Sequence, residues 1–106
     1  MEKLHHLFEP ISIGKIEIPN RICHVPTDTS SAHIDGSVTE RDIHHYATIA
    51  KGGTGFIIVG ATSVDGKNGR STVTNLVADE DYFIPGLARL ADSMHWYGAK
   101  CAVQLQ

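Results

Sequence analysis

A basic excess, a long apolar run and a set of spaced cysteines are all missing from this chain, and each absence narrows what it does. Nine Lys and Arg stand against twelve Asp and Glu, giving a net charge of −3. Nucleic acids and anionic membranes both want a basic face, so neither is expected as a partner. The seven histidines add positive charge only below about pH 6.5. Nowhere do roughly 18 apolar residues follow one another, so no membrane span is expected. The opening Met1-Glu2-Lys3-Leu4-His5-His6 has no apolar segment of the kind a signal peptide needs. The two cysteines, Cys23 and Cys101, each lie in an apolar run. With nothing else pointing to secretion, they read as reduced thiols of a cytoplasmic protein rather than as a disulfide.

Several chemical motifs are absent as well. No Gly-x-Gly-x-x-Gly follows the first strand, and no phosphate loop ending in Gly-Lys-Ser/Thr occurs. The usual means of holding a dinucleotide pyrophosphate is therefore lacking. No Cys-x-x-Cys or His-Glu-x-x-His is present. His5-His6 and His44-His45 are adjacent pairs, and helical neighbours point in different directions. Neither pair makes a ready chelate, and no metal site is expected.

What is present reads as one α/β domain. Its 106 residues are 42% hydrophobic and 20% charged, which allows a genuine core. Leu7 to Pro19 has a hairpin pattern, with Ile11 and Ile13 alternating before Gly14-Lys15 and Ile16 and Ile18 after it. Arg21 to Val25 reads as a short strand that ends at Pro26. A long polar loop follows to Ser37, with Asp35-Gly36 as a turn.

Val38 to Lys51 reads as a helix, capped by Thr39 with Asp42 in capping-box position. Its apolar face is Ile43, Tyr46, Ala47 and Ala50, and Gly52-Gly53 stops it. Gly55 to Ala61 has four consecutive apolar residues, which predicts a strand covered on both faces. Thr62 to Asp81 reads as a structureless loop, a length that is often functional. A second helix is expected over Phe83 to Tyr97, with Ile84, Leu87, Ala91 and Met94 on one face and Gly98 as its stop. Cys101 to Gln106 reads as another buried strand, after which a helix is expected.

The alternation of strands and helices implies a parallel sheet. Its carboxyl rim, where ligands bind in such folds, then collects three polar strand ends. These are Pro26-Thr27-Asp28, Gly60-Ala61-Thr62 and Gln104. Gln104 offers both a donor and an acceptor to the edge of a heterocycle. Gly60-Ala61 leaves backbone open to close approach. A solvated sheet rim without a ligand fits these residues equally well.

Other stretches carry a resemblance. These are Leu7-Phe8-Glu9-Pro10-Ile11, Asn20-Arg21-Ile22 leading to Pro26, Asp35-Gly36, Ala50-Lys51-Gly52-Gly53-Thr54-Gly55 with Ile57-Ile58-Val59, and Gly98-Ala99-Lys100 leading to Val103-Gln104-Leu105. In this order and spacing the chain resembles the start of the old yellow enzyme family of FMN-dependent oxidoreductases. Within it, the chain looks most like the branch of 2,4-dienoyl-CoA reductase, 2-enoate reductase and trimethylamine dehydrogenase.

The resemblance implies the first three βα strands of a (β/α)8 TIM barrel, preceded by the amino-terminal hairpin, with residues 1–106 as the truncated amino-terminal part. It also implies FMN at the rim, NAD(P)H as reductant and a small-molecule substrate with an activated C=C bond. An iron–sulfur cluster and FAD are possible additions in a longer protein, and a homo-oligomer is expected. Carried over, Pro26 and Thr27 supply backbone beside the flavin, Ala61 lies against the ring, and Gln104 bonds its pyrimidine edge.

Asp28 departs from the family, which often has Thr or Cys there near the flavin O4. A thioether to flavin is excluded at this position. The Asp28 side chain has three options: turned away onto the Thr29–Ser31 loop, protonated as a donor, or ionised beside the ring. The substrate anchors, proton donor and phosphate site of the family fall beyond Gln106. The rival function is an α/β binding module without redox chemistry.

Overall fold

The structure, a computed structural model, describes residues 2–106. A 3-10 turn, Glu2–Phe8, leads into strands β1 (Ile11–Ile13) and β2 (Ile16–Ile18). These pair antiparallel with Ile13 opposite Ile16, and the turn between them has Gly14 at φ +60°. Ile18 faces inward at 3% exposure while Ile11, Ile13 and Ile16 remain exposed.

The main sheet consists of β3 (Cys23–His24), β4 (Phe56–Ser63), β5 (Leu76–Val77) and β6 (Lys100–Leu105). All pairings to β4 are parallel. Phe56 pairs with both Cys23 and Lys100, and Thr62 with both Leu76 and Leu105. A strand has two edges, so β3 and β5 share one edge of β4 and β6 runs along the other. Asn20 pins the start of β3: its Nδ2 donates to the Gly53 carbonyl at 2.7 Å and its Oδ1 accepts from Ile22 N–H at 3.0 Å.

Helices α1 (Glu40–Lys51) and α2 (Ile84–His95) pack on one another and on the sheet. Thr39 caps α1 with a complete capping box: its hydroxyl accepts from Asp42 N–H at 3.0 Å, and Asp42 Oδ2 accepts from Thr39 N–H at 3.0 Å. Gly52 and Gly53, the latter at φ +105°, end the helix. The core gathers Tyr46 and Ala50 of α1, Ile57 and Val59 of β4, Leu76 of β5, and Leu90 and Met94 of α2.

Four sequence expectations need correction. β4 is covered on one face only: Ile57 and Val59 are buried under the helices, whereas Phe56 and Ile58 alternate with them half-buried. The continuous apolar run matched a two-sided environment that these residues do not supply. β6 is not buried, with Val103 41% and Leu105 62% exposed, because it forms the outer edge of the sheet. The buried residues of α2 are Leu90 and Met94, while Ile84 lies outside at 58% exposure. Phe83, the last residue of the 3-10 turn Asp81–Phe83 ahead of the helix, is buried in place of Ile84.

The segment 62–81, lastly, is not structureless. Thr62 and Ser63 continue β4, and Leu76–Val77 return to pair with those same two residues. Between them, Asp65 accepts from Lys67 and Asn68 N–H at 3.0 and 2.9 Å. The Arg70 guanidinium donates to the Ile34 carbonyl at 2.6 Å and to that of Val73.

Candidate functional site

The three polar strand ends meet at the carboxyl rim through one backbone contact and one backbone-to-side-chain hydrogen bond. Gly60 packs against the backbone of Thr27 so closely that a Cβ there would lie 2.3 Å from the Thr27 carbonyl oxygen. Only glycine allows that approach. The next residue, Ala61, has φ +37°, in the left-handed region. It lies where the β4–β6 register slips between Val59 and Thr62, a bulge that frees its N–H from the ladder. That N–H donates to Gln104 Oε1 at 3.2 Å. The bond orients the amide: with the oxygen held by Ala61, the Gln104 NH2 group is left as a donor.

Pro26, Thr27, Ala61 and Gln104 are thus linked through the Thr27–Gly60 packing and the Ala61–Gln104 bond. Asp28 has gone elsewhere. Its Oδ1 accepts from Ser30 N–H at 2.9 Å, forming the turn in which Ser30 has φ 49°. Its Oδ2 accepts from Asn75 Nδ2 at 2.9 Å. Of its three options, the structure has the one turned onto the loop.

Behind the rim lies a polar hollow of about 300 Å³ between the loop after β3 and α1. His24, Thr27, Thr29, Ser31, Arg41 and His45 line it. His45 stands edge-on to Tyr46, with ring centroids 5.0 Å apart. The Tyr46 hydroxyl accepts from Gly60 N–H at 3.5 Å. Burial, with the charges of Asp42 and Asp28 adding to it, pushes that phenol above its ordinary range. Asp42 is fully buried and accepts from the hydroxyls of Ser31 and, at 3.5 Å, Thr29. It therefore ties the first rim loop to the helix cap.

Sequence reasoning missed Asn75, Asp42 as a buried group, Tyr46 as a polar contact and the His24–His45 hollow. Asp42 carried a local signal, the capping box, but nothing in its neighbours marks it as buried. Asn75 accepts from nearby Ser71 and Thr72, but its bond to Asp28 joins residues 47 positions apart, which no local signal marks. His5 and His6 also differ from expectation. Their 3-10 turn brings the rings to 3.9 Å and places His6 Nδ1 3.2 Å from Glu9 Oε1. The candidate ligand atoms of His5, His6 and Glu9 lie within 4.8 Å of one another, with both histidines exposed and Glu9 half-buried.

Comparison with known proteins adds an independent line. A model described as the NADH:flavin oxidoreductase / NADH oxidase family matches residues 6–106. An NADH oxidase of Thermoanaerobacter brockii is 38% identical over 105 residues, covering 99% of this chain and 16% of the oxidase. An NADPH dehydrogenase of Listeria monocytogenes serotype 4a is 36% identical over 100 residues, covering 93% of the chain and 29% of the dehydrogenase. The crystal structure of Old Yellow Enzyme from Pichia sp. AKU4542 superposes with a TM-score of 0.86 at 26% identity, covering 94% of the chain and 26% of that enzyme. The chain therefore spans less than a third of each of these relatives.

Proposed function

The chain belongs to the NADH:flavin oxidoreductase / NADH oxidase family, and from that premise we propose that its rim is the first part of an FMN site in an NAD(P)H-dependent oxidoreductase. β3, β4 and β6 are read as the first three strands of a (β/α)8 barrel, with residues 1–106 as its amino-terminal part and the β1–β2 hairpin below. The observation that carries this reading is the bulge at Ala61, whose N–H fixes the Gln104 amide at the edge of the rim. A left-handed non-glycine residue at a bulge is a local cost that a ligand site explains.

The donor set fits a flavin. The Gln104 NH2 group would donate to acceptors on the pyrimidine edge, and the backbone of Pro26, Thr27 and Ala61 would flank the ring. The chemistry FMN supplies when bound is hydride acceptance from NAD(P)H and hydride delivery to an activated C=C bond of a small-molecule substrate. This chain's residues bind and orient. Gly60 lets the first strand end close on the second, and the Asp28 turn keeps a carboxylate occupied within the loop. Substrate anchors, the proton donor and the phosphate site are proposed to lie beyond Gln106, as are any iron–sulfur and FAD sites.

The reading is tested by titrating FMN and riboflavin against the 106-residue chain side by side. One terminal nitrogen of Arg70 donates to the carbonyls of Ile34 and Val73 and holds the loop, and the phosphate site is proposed to lie beyond Gln106. We expect weak and similar affinities for both flavins, and Gln104→Leu to weaken both equally. A strong preference for FMN would place an anion site within these residues and overturn this division of labour. We also propose that the chain self-associates through its half-covered sheet face and the β6 edge. Light scattering that reports a monomer at high concentration would refute that.

A further inference from the structure

We propose that Asn75 is a positioning residue of the rim: it locks the Asp28 carboxylate into the loop layer and so keeps negative charge off the flavin-facing side. The inference rests on the FMN reading above. Its structural half, the lock itself, is testable without flavin.

Asn75 is 1% exposed, and both its amide oxygen and its NH2 group are hydrogen-bonded. Its Oδ1 accepts from Ser71 N–H at 2.9 Å, Ser71 Oγ at 2.6 Å, Thr72 N–H at 2.9 Å and Gln106 Nε2 at 3.3 Å. Two of those donors are backbone amides, which cannot reverse their role. They identify the side facing them as oxygen, so the NH2 group must face Asp28 Oδ2, 2.9 Å away. The position needs an acceptor on one side and a donor to a carboxylate on the other. Among similarly shaped side chains only Asn supplies both. Leu supplies neither, and Asp turns an acceptor toward an acceptor.

The location gives the lock its consequence. Asp28 follows Thr27, whose backbone packs on Gly60 at the rim. An ionised carboxylate released toward a flavin would oppose the negative charge that accumulates there on reduction. Asn75 also reaches the third strand end, because Gln106 N–H donates to the Thr62 carbonyl at 3.0 Å and the Gln106 carbonyl accepts from Val64 N–H at 2.9 Å. One buried amide thus ties the loop after β3, the loop after β4 and the end of β6.

The test uses the protein expressed from its whole gene, as wild type, Asn75→Asp, and the exchange Asp28→Asn/Asn75→Asp. In Asn75→Asp two carboxylates face each other. At pH 8, amide exchange at Ser30, Ser71 and Thr72 should accelerate about tenfold, the equivalent of about 1.4 kcal/mol. The flavin midpoint potential should fall. Both effects should fade near pH 5, where the pair can share a proton and remake the bond. The exchanged variant restores a donor opposite an acceptor and should return exchange and potential to wild-type values. A role in general packing alone would give no pH dependence and no restoration by the exchange. Unchanged amide exchange in Asn75→Asp, or failure of the exchanged variant to restore it, overturns the lock. Altered amide exchange with an unchanged potential overturns its role toward the flavin. If the wild-type protein binds no FMN, the FMN reading falls and the role toward flavin with it, while the amide-exchange comparison still decides the lock.

Discussion

The helix layer and the strand-end rim of this protein are held by different forces. Beneath α1 and α2, Ile57, Val59, Leu90 and Met94 are all at or below 2% exposure and make a dry interface. Their contribution is non-directional and scales with the apolar area removed from water. At the rim, the stabilising contacts are directional: Gly60 against Thr27, Ala61 to Gln104, Asp28 to Asn75. Each depends on one atom type at one place. The helix layer supplies stability, whereas the rim converts it into fixed positions for a few polar atoms.

The largest expected effect comes from breaking the helix layer. Leu90→Ala should destabilise the protein by about 2–5 kcal/mol, the range for a fully buried leucine. Chemical denaturation measures it, and a loss below 1 kcal/mol would mean that α2 is not part of the cooperative core.

A smaller but more local effect is expected at the rim. In Gly60→Ala the new Cβ would overlap the Thr27 backbone, which cannot swing aside as a flexible side chain would. We expect a cost of about 1–3 kcal/mol together with weakened flavin binding. Gly14→Ala is the contrasting control. Gly14, unlike Gly60, has positive φ, and a Cβ there meets nothing within 4 Å, so the change should cost some stability and leave flavin affinity alone. Equal loss of affinity in both variants would contradict the claim that close approach at Gly60 matters.

The smallest effects concern the loop turns. Hydrogen bonds from the Ser37 hydroxyl and amide hold the Asp35 carboxyl below its ordinary range. Those from Asn68 and Lys67 do the same for Asp65. A carboxyl with a lowered folded pKa adds stability above its unfolded pKa, near about 3.9, and that stability is lost as pH falls through the folded value. The Ser37, Lys67 and Asn68 amides should therefore stay protected from neutral pH to about pH 4 and loosen only below it. Both groups are solvent-exposed, so global stability should barely register the change. Amide chemical shifts followed through an acid titration would read it, and loosening already at pH 6 would contradict the assignment.

Much of this architecture was legible because its signals are local. The Thr39–Asp42 capping box, the Gly52-Gly53 stop and the turn at Gly14-Lys15 each lie within a few residues of what they specify. The rim residues Pro26, Thr27, Ala61 and Gln104 could be named from strand ends and from the resemblance to the old yellow enzyme family. Exposure was harder to read, because β6 is apolar in sequence yet largely exposed, and one face of β4 is only half-covered. Periodicity describes what a strand could bury, and says nothing about which neighbours arrive.

By itself, then, the sequence determined the order of the hairpin, the two α-helices and strands β3, β4 and β6, though not β5, together with the helix boundaries to within a few residues and which strand ends carry polar groups. These follow from side-chain period and capping chemistry over spans of three to eight residues. Only the tertiary structure decided the direction of each polar atom. Asp28 meets Asn75 47 positions away, and Ala61 meets Gln104 43 positions away. A hydrogen bond requires a donor and an acceptor within about 3 Å and in line, and for residues so distant in the chain only the packed sheet and helices can meet that condition.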